Sequence, residues 1–306
     1  MNFSFVILHY QVHQDTIECI ESILSNITYD NYNIVVVDNG STNDSANQID
    51  QRFKEEEKVY LIRNKENLGF AKGNNVGFMF AKKELKADFI IMINNDTIIE
   101  QKDFITRILE KHKQTNFNIL GPDILTRDGV HQNPVRMKPL TEEQIILERK
   151  KHRTKIILNK LGIEDLTLSI FRFIKKITKR TQEIISESSA WQHEHENVQL
   201  HGSCLIFDKV YIQKFNGLYS NTFMYVEEEI LYYIAIKENL KILYTPSIKI
   251  FHKEDASTNS VYKKESKKRL FVYENNRKSL QELLKIMNDS EYYKDYIVDE
   301  QYIGSK

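Results

Sequence analysis

The sequence predicts an α/β fold: a mostly parallel central sheet with helices on both faces. Across the first 125 residues, short apolar runs alternate with helically spaced segments. Strands that are apolar almost throughout belong to sheets covered on both sides. The length, 306 residues at 41% apolar composition, supplies ample chain for the core of one large domain or two modest ones.

Residues 3–8 (FSFVIL) read as a buried strand, and Ile17, Ile20, Ile23 and Leu24 then follow at helical spacing. Residues 34–37 (IVVV) give a second strand and 45–53 a helix; residues 59–62 give a third strand and 74–83 the next helix. A fourth strand at 88–93 (DFIIMI), a helix at 104–112 and a strand at 119–120 complete this half. Between residues 149 and 180, 11 Lys and Arg face two acids, and 166–177 (LTLSIFRFIKKI) is amphipathic. That stretch suits either an anionic membrane surface or a helical hairpin packed on the body. A β-like pattern returns at 199–207, 222–231 and 241–252, and the tail from residue 263 looks helical. The expected divisions are 1–125, a basic, partly helical insertion at 126–200, a second half at 201–260, and a helical tail at 261–306.

Charge narrows the function classes. With 43 basic and 43 acidic side chains, the chain is not a generally basic nucleic-acid binder. Two cysteines, Cys19 and Cys204, make no disulfide framework and match a reducing compartment. No apolar run reaches the roughly 18 residues of a membrane span, and the N-terminus lacks the basic start of a signal peptide. A cytoplasmic protein is expected.

Parallel sheets bind ligands at the carboxyl ends of their strands. Four such ends carry hydrogen-bonding groups: His9-Tyr10-Gln11, Asp38-Asn39-Gly40-Ser41, residues 64–70 (NKENLGF) and Asn94-Asn95-Asp96. No glycine follows the first strand, which argues against a dinucleotide site or a nucleotidyltransferase loop. Asp38 suits hydrogen bonds from a ribose or base, or alternatively a turn. Residues 67–75 (NLGFAKGNN) suit a loop around sugar and phosphates, or a flexible turn and helix cap. With no basic glycine loop, diphosphate charge calls for a divalent cation, for which Asp96 is a carboxylate ligand and His252 a further donor. Glu227, Glu228 and Glu229 are adjacent acids whose mutual repulsion raises at least one pKa, as a general base requires. Acids at a helix N-terminus fit the same run, and both descriptions can hold together.

These motifs occur in a telling order: VVVDNGSTNDS, NLGFAKGNNVG, FIIMINND, HGSCLIF, GLYSNTFMYVEEEI and IKIFH. The series resembles glycosyltransferase family 2, with its Rossmann-like GT-A fold, and within it the bacterial rhamnosyltransferase-like branch of cell-surface polysaccharide assembly. The resemblance implies an inverting transfer from a nucleoside-diphosphate sugar, a UDP-hexose or dTDP-rhamnose, to a hydroxyl of a glycan or lipid-linked glycan in capsule, O-antigen or cell-wall synthesis. It implies Glu228 as catalytic base, with Glu227 and Glu229 as neighbouring alternatives. The donor side comprises His9, Tyr10, Asp38, Asn39 and Asn95 from strand ends, with Asn67, Gly69, Phe70, Lys72 and Asn75 from the loop. Gly202 and Ser203 fall on the acceptor side. Asp96 and His252 become the ligands of Mn²⁺ or Mg²⁺. Asn94 stands where the family has the first acid of its Asp-x-Asp motif, and Glu228 stands where Asp is commoner. Peripheral contact with the inner face of the membrane through residues 149–180 is the expected partner surface; nucleic acid is not. A nucleotide-sugar-binding protein without catalysis and a membrane-surface interaction protein are the alternatives.

Overall fold

A computed structural model describes residues 1–165, 167, 189–254, 264–289 and 291–297. The sheet is built from β1 (Phe3–His9), β2 (Tyr32–Asp38), β3 (Val59–Arg63), β4 (Phe89–Asn94), β5 (Thr97–Ile98), β6 (Ile119–Thr126), β7 (His195–Glu196), β8 (Cys204–Phe207) and β9 (Ile242–His252). They lie in the order β3-β2-β1-β4-β8-β6-β9-β5, with β7 beside β9. The run β3-β2-β1-β4 is parallel throughout. β8 runs antiparallel between β4 and β6, and β9 is again parallel to β6. One sheet therefore carries residues from both halves of the chain.

The expected covering on both faces is present, and alternation within β1 shows how. Phe3, Phe5 and Ile7 enter a core under α1 (His13–Asn26) and α4 (Phe104–Thr115). Val6 enters the opposite core with Ala71 and Phe78 of α3 (Phe70–Lys83). Each such fully buried side chain stabilises the fold by about 1.5–3 kcal/mol, so strands apolar at every position anchor both layers at once. The helix expected at 45–53 is α2 (Ser45–Phe53).

The second half departs from expectation in two places. Residues 222–231 are not a strand but a loop leading into α7 (Glu227–Lys237), after the short α6 (Lys209–Lys214). Tyr225 and Val226 both adopt left-handed φ, 71° and 72°, which no extended run can contain. Only Cys204–Phe207 of the 199–207 run is strand; a turn at Gly202-Ser203 precedes it. In β9 the pairing with β6 jumps from Pro122–Thr245 to Asp123–Lys249. Pro122 and Pro246 lack the N–H that an unbroken ladder would need, so residues between the two registers bulge out.

Within residues 126–200, α5 (Glu142–Lys160) starts at a capping box of Thr141 and Gln144. It packs along α8 (Glu265–Asn288), joined by Lys160–Glu274 at 2.9 Å and, just beyond α5, Glu164–Arg269 at 3.1 Å. The amphipathic stretch at 166–177 falls almost wholly outside the described residues. Among those residues no helix is long and apolar enough to cross a membrane.

Candidate active site

The carboxyl ends of β1, β2 and β4 open on a cavity of about 460 Å³. Its walls include Tyr10, Asn39, Asn67, Gly69, Phe70, Asn95, Asp96, Gly202, Ser203 and all of Glu227–Glu229. Most of the residues singled out in the sequence are thus brought to one place, although they come from six separate segments of the chain.

The loop after β3 is shaped by Asn39. Its amide donates to Asn67 Oδ1 at 3.0 Å and to the Gly69 carbonyl at 3.1 Å, while its Oδ1 accepts from Leu68 N at 3.1 Å. Gly69 sits at φ 85°, and a Cβ there would lie 2.2 Å from the Phe223 carbonyl oxygen. This close approach lets Phe70 N donate to that same carbonyl at 2.8 Å, so the start of α3 is pinned to the loop before the three glutamates.

That glutamate loop is tense. Val226 is β-branched, and holding it at positive φ is costly unless its surroundings enforce it. Ser279 of α8 donates to the Met224 carbonyl at 3.0 Å, and Phe271 of α8 meets Phe223 and Tyr225 edge-on. The α5–α8 pair thereby braces the acids from behind.

The three carboxyls differ. Glu227 is buried and accepts from Thr222 Oγ1 at 2.9 Å; burial, with Glu228 beside it, pushes it up to about 8. Glu229 is raised by burial and by Glu228, offset by a hydrogen bond from Gln199 and by the charge of Arg136. Glu228, also raised by burial, reaches across to the turn before β8, where Gly202 N donates to its Oε1 at 3.1 Å. A Cβ at residue 202 would stand 2.4 Å from that oxygen, so only glycine lets Glu228 into this position. A half-buried carboxylate with a raised pKa, held at a cavity wall, is equipped to take a proton at neutral pH.

Across the cavity, Asp96 and His252 are both buried, with Asp96 Oδ1 3.2 Å from His252 Nε2. His201, not singled out from the sequence, stands 5.8 Å ring to ring from His252. Its Nδ1 accepts from Ser203 N at 3.2 Å, and burial, then the neighbouring His252, lower it to about 4, so it stays neutral. Among the described residues no group of three or more His, Cys, Asp and Glu is disposed to hold a metal. Asp96 and His252 offer two donors of the right chemistry, which fits a cation completed by phosphate oxygens and water. Asn94, where the resemblance sets a first acid, lines the same wall as a neutral amide.

Other expected site residues lie elsewhere. His9 is fully buried behind the wall, its ring nitrogens each 2.8 Å from the hydroxyls of Thr16 and Ser45, and burial lowers it to about 4. Thr16 in turn accepts from Asn95 Nδ2 at 3.0 Å, so His9 bears on the cavity only through Asn95. Asp38 is buried and caps its own turn, accepting from Ser41 N at 3.2 Å. Lys72 is exposed on α3. Asn75 makes two 2.7 Å bonds to the Leu218 backbone, which dock the turn at 217–218 against α3. None of the four lines the cavity wall, and His252 reaches it only through Asp96.

Gln132 and Asn133 fall within the stretch expected to be a basic insertion, and they support the site. Asn133 Oδ1 accepts from His201 N at 2.8 Å, and Gln132 contacts His252. No periodicity or motif marks them; only the folded chain brings them beneath the strand ends.

Comparison with known proteins agrees with this architecture. The family model described as Glycosyl transferase family 2 matches residues 4–179. A low-salt glycan biosynthesis hexosyltransferase, Agl10 of Haloferax volcanii, is 25% identical over 79% of this chain and 64% of its own length. An uncharacterized glycosyltransferase of Haemophilus influenzae is 28% identical over 50% of each. The chain thus spans between half and about two-thirds of the length of these curated relatives. Among solved structures, S. aureus TarS 1-349, crystallised with UDP-GlcNAc, superposes with a TM-score of 0.52 at 14% identity, over 86% of this chain and 62% of that one. The shared fold is GT-A, and the chain belongs to glycosyltransferase family 2.

Proposed function

We propose that the protein is an inverting glycosyltransferase that moves a sugar from a nucleoside-diphosphate donor to a hydroxyl of a cell-surface glycan. The observation that carries this reading is the placement of Glu228. It is a carboxylate with a raised pKa on one wall of the cavity, with Asp96 on another and His252 buried 3.2 Å behind Asp96. The named activities of Agl10 and the UDP-GlcNAc in the TarS crystal support it.

In this reading Glu228 Oε accepts the proton of the acceptor hydroxyl as that oxygen forms its bond to the anomeric carbon, whose bond to the diphosphate breaks. Gly202 and Ser203 line the acceptor side, and the Asn39-braced loop with Tyr10 and Phe70 holds the nucleoside. Asp96 and His252 would hold a divalent cation, Mn²⁺ or Mg²⁺, which when bound supplies positive charge to the departing diphosphate. Neutral His201 adds no competing charge beside them. The donor taken here is a UDP-hexose or dTDP-rhamnose, as the resemblance implies. The divisions at 125, 200 and 260 then separate donor half, basic insertion, acceptor half and tail; the basic run at 149–180, whose part beyond residue 167 lies outside the described residues, is the segment whose composition suits contact with an anionic membrane.

Calorimetric titration with UDP, dTDP and GDP, each with and without Mn²⁺, tests this. One nucleotide is expected to bind, more tightly with metal, and Asp96→Ala is expected to abolish the metal's contribution. Binding of none of the three, with or without metal, contradicts the proposal.

A further inference from the structure

Gln132 is held at both ends. Its backbone N donates to the Ile124 carbonyl at 2.9 Å, fixing it against β6. Its side-chain Nε2 lies 2.6 Å from Glu254 Oε1, and its Oε1 lies 2.8 Å from His252 Nδ1. A carboxylate only accepts, so the amide must turn its NH₂ to Glu254 and its carbonyl to the histidine. A carbonyl in turn only accepts, so His252 Nδ1 must carry hydrogen. The remaining nitrogen, Nε2, is the one 3.2 Å from Asp96 Oδ1.

In the neutral imidazole this leaves a nitrogen lone pair facing a carboxylate oxygen, two acceptors with no hydrogen between them. A cation shared by the two, in the place that the second proton of an imidazolium would otherwise take, resolves that opposition. We infer that Gln132, oriented by Glu254, is a positioning residue that fixes His252 as the Nδ1–H tautomer and so presents Nε2, beside Asp96, to the divalent cation. The inference rests on the assignment of His252 to the cation in the proposed function. Partners of this kind orient metal-ligating histidines through the far ring nitrogen, and losing one typically costs 10–100-fold in metal affinity.

Two measurements separate the inference from the reading beneath it. Long-range ¹H–¹⁵N correlation of the His252 ring in metal-free protein is expected to show hydrogen on Nδ1 in the wild type and to lose that preference in Gln132→Leu. Hydrogen on Nε2 in the wild type overturns the inference, whatever the metal does. Mn²⁺ alone, titrated and followed by its electron paramagnetic resonance signal, is expected to bind 10–100-fold more weakly to Gln132→Leu. Glu254→Gln keeps an acceptor oxygen for the Gln132 amide and is expected to stay within threefold of the wild type. Equal affinity in wild type and Gln132→Leu overturns the role of Gln132. A wild-type protein that takes up no Mn²⁺ overturns the cation assignment and the presentation of Nε2 to a metal, while the ring correlation still decides whether Gln132 fixes the tautomer.

Discussion

At the residue scale, three adjacent glutamates acquire different properties from their partners. Glu227 is buried at the cavity wall with Thr222 donating to it, and its carboxyl is raised from an ordinary 4.5 to about 8. A raised acid favours the folded state fully below about 4.5, and that contribution is lost as pH climbs through about 8. Glu227→Gln removes the ionisation. Its melting temperature should match the wild type near pH 4.5, rise above it through neutrality and hold a constant lead beyond pH 8, a gain on the order of a few kcal/mol. Parallel pH–stability curves for the two proteins would contradict the assignment. The three acids were legible in the sequence as a cluster that repels itself. The residues themselves did not say which carboxyl meets Gly202, and only the resemblance pointed to Glu228, because the partners Thr222, Gly202 and Gln199 converge from distant parts of the chain.

At the scale of elements, the site depends on loops fastened to one another. α3 begins at a glycine pressed against the Phe223 carbonyl, and that contact joins the loop after β3 to the glutamate loop. Gly69→Ala introduces both positive-φ strain and a clash with backbone, and should cost about 1–3 kcal/mol. It should also weaken nucleotide binding, because Asn67 and Phe70 move with the helix start. A melting curve and a nucleotide titration unchanged by this substitution would show the junction to be unimportant. The strands and helices of the first half were legible because apolar runs and 3.6-residue spacing are local signals. The loop at 222–226 was misread as strand: its aromatic, β-branched composition favours extension, but contacts with α8 hold Tyr225 and Val226 in left-handed backbone. His9, Asp38 and Asn75 look like ligand groups on strand ends or in loops, yet each is engaged by groups of its own protein. Sequence position does not reveal that.

At the scale of the whole molecule, a single sheet brings the parallel donor strands and the antiparallel β8 to one edge, and the α5–α8 pair supports the acids from outside. In the proposed transfer reaction, Glu228 is the proton acceptor on which the chemistry depends. The most direct test compares Glu228→Gln with the wild type in two assays, sugar transfer from the donor identified by titration and affinity for that donor. Loss of a general base costs typically about 10²–10⁴-fold in rate. The expected result is turnover reduced by that order with donor affinity unchanged. Turnover near the wild-type value in Glu228→Gln would contradict the account, and would move the search for the base to Glu227 and Glu229.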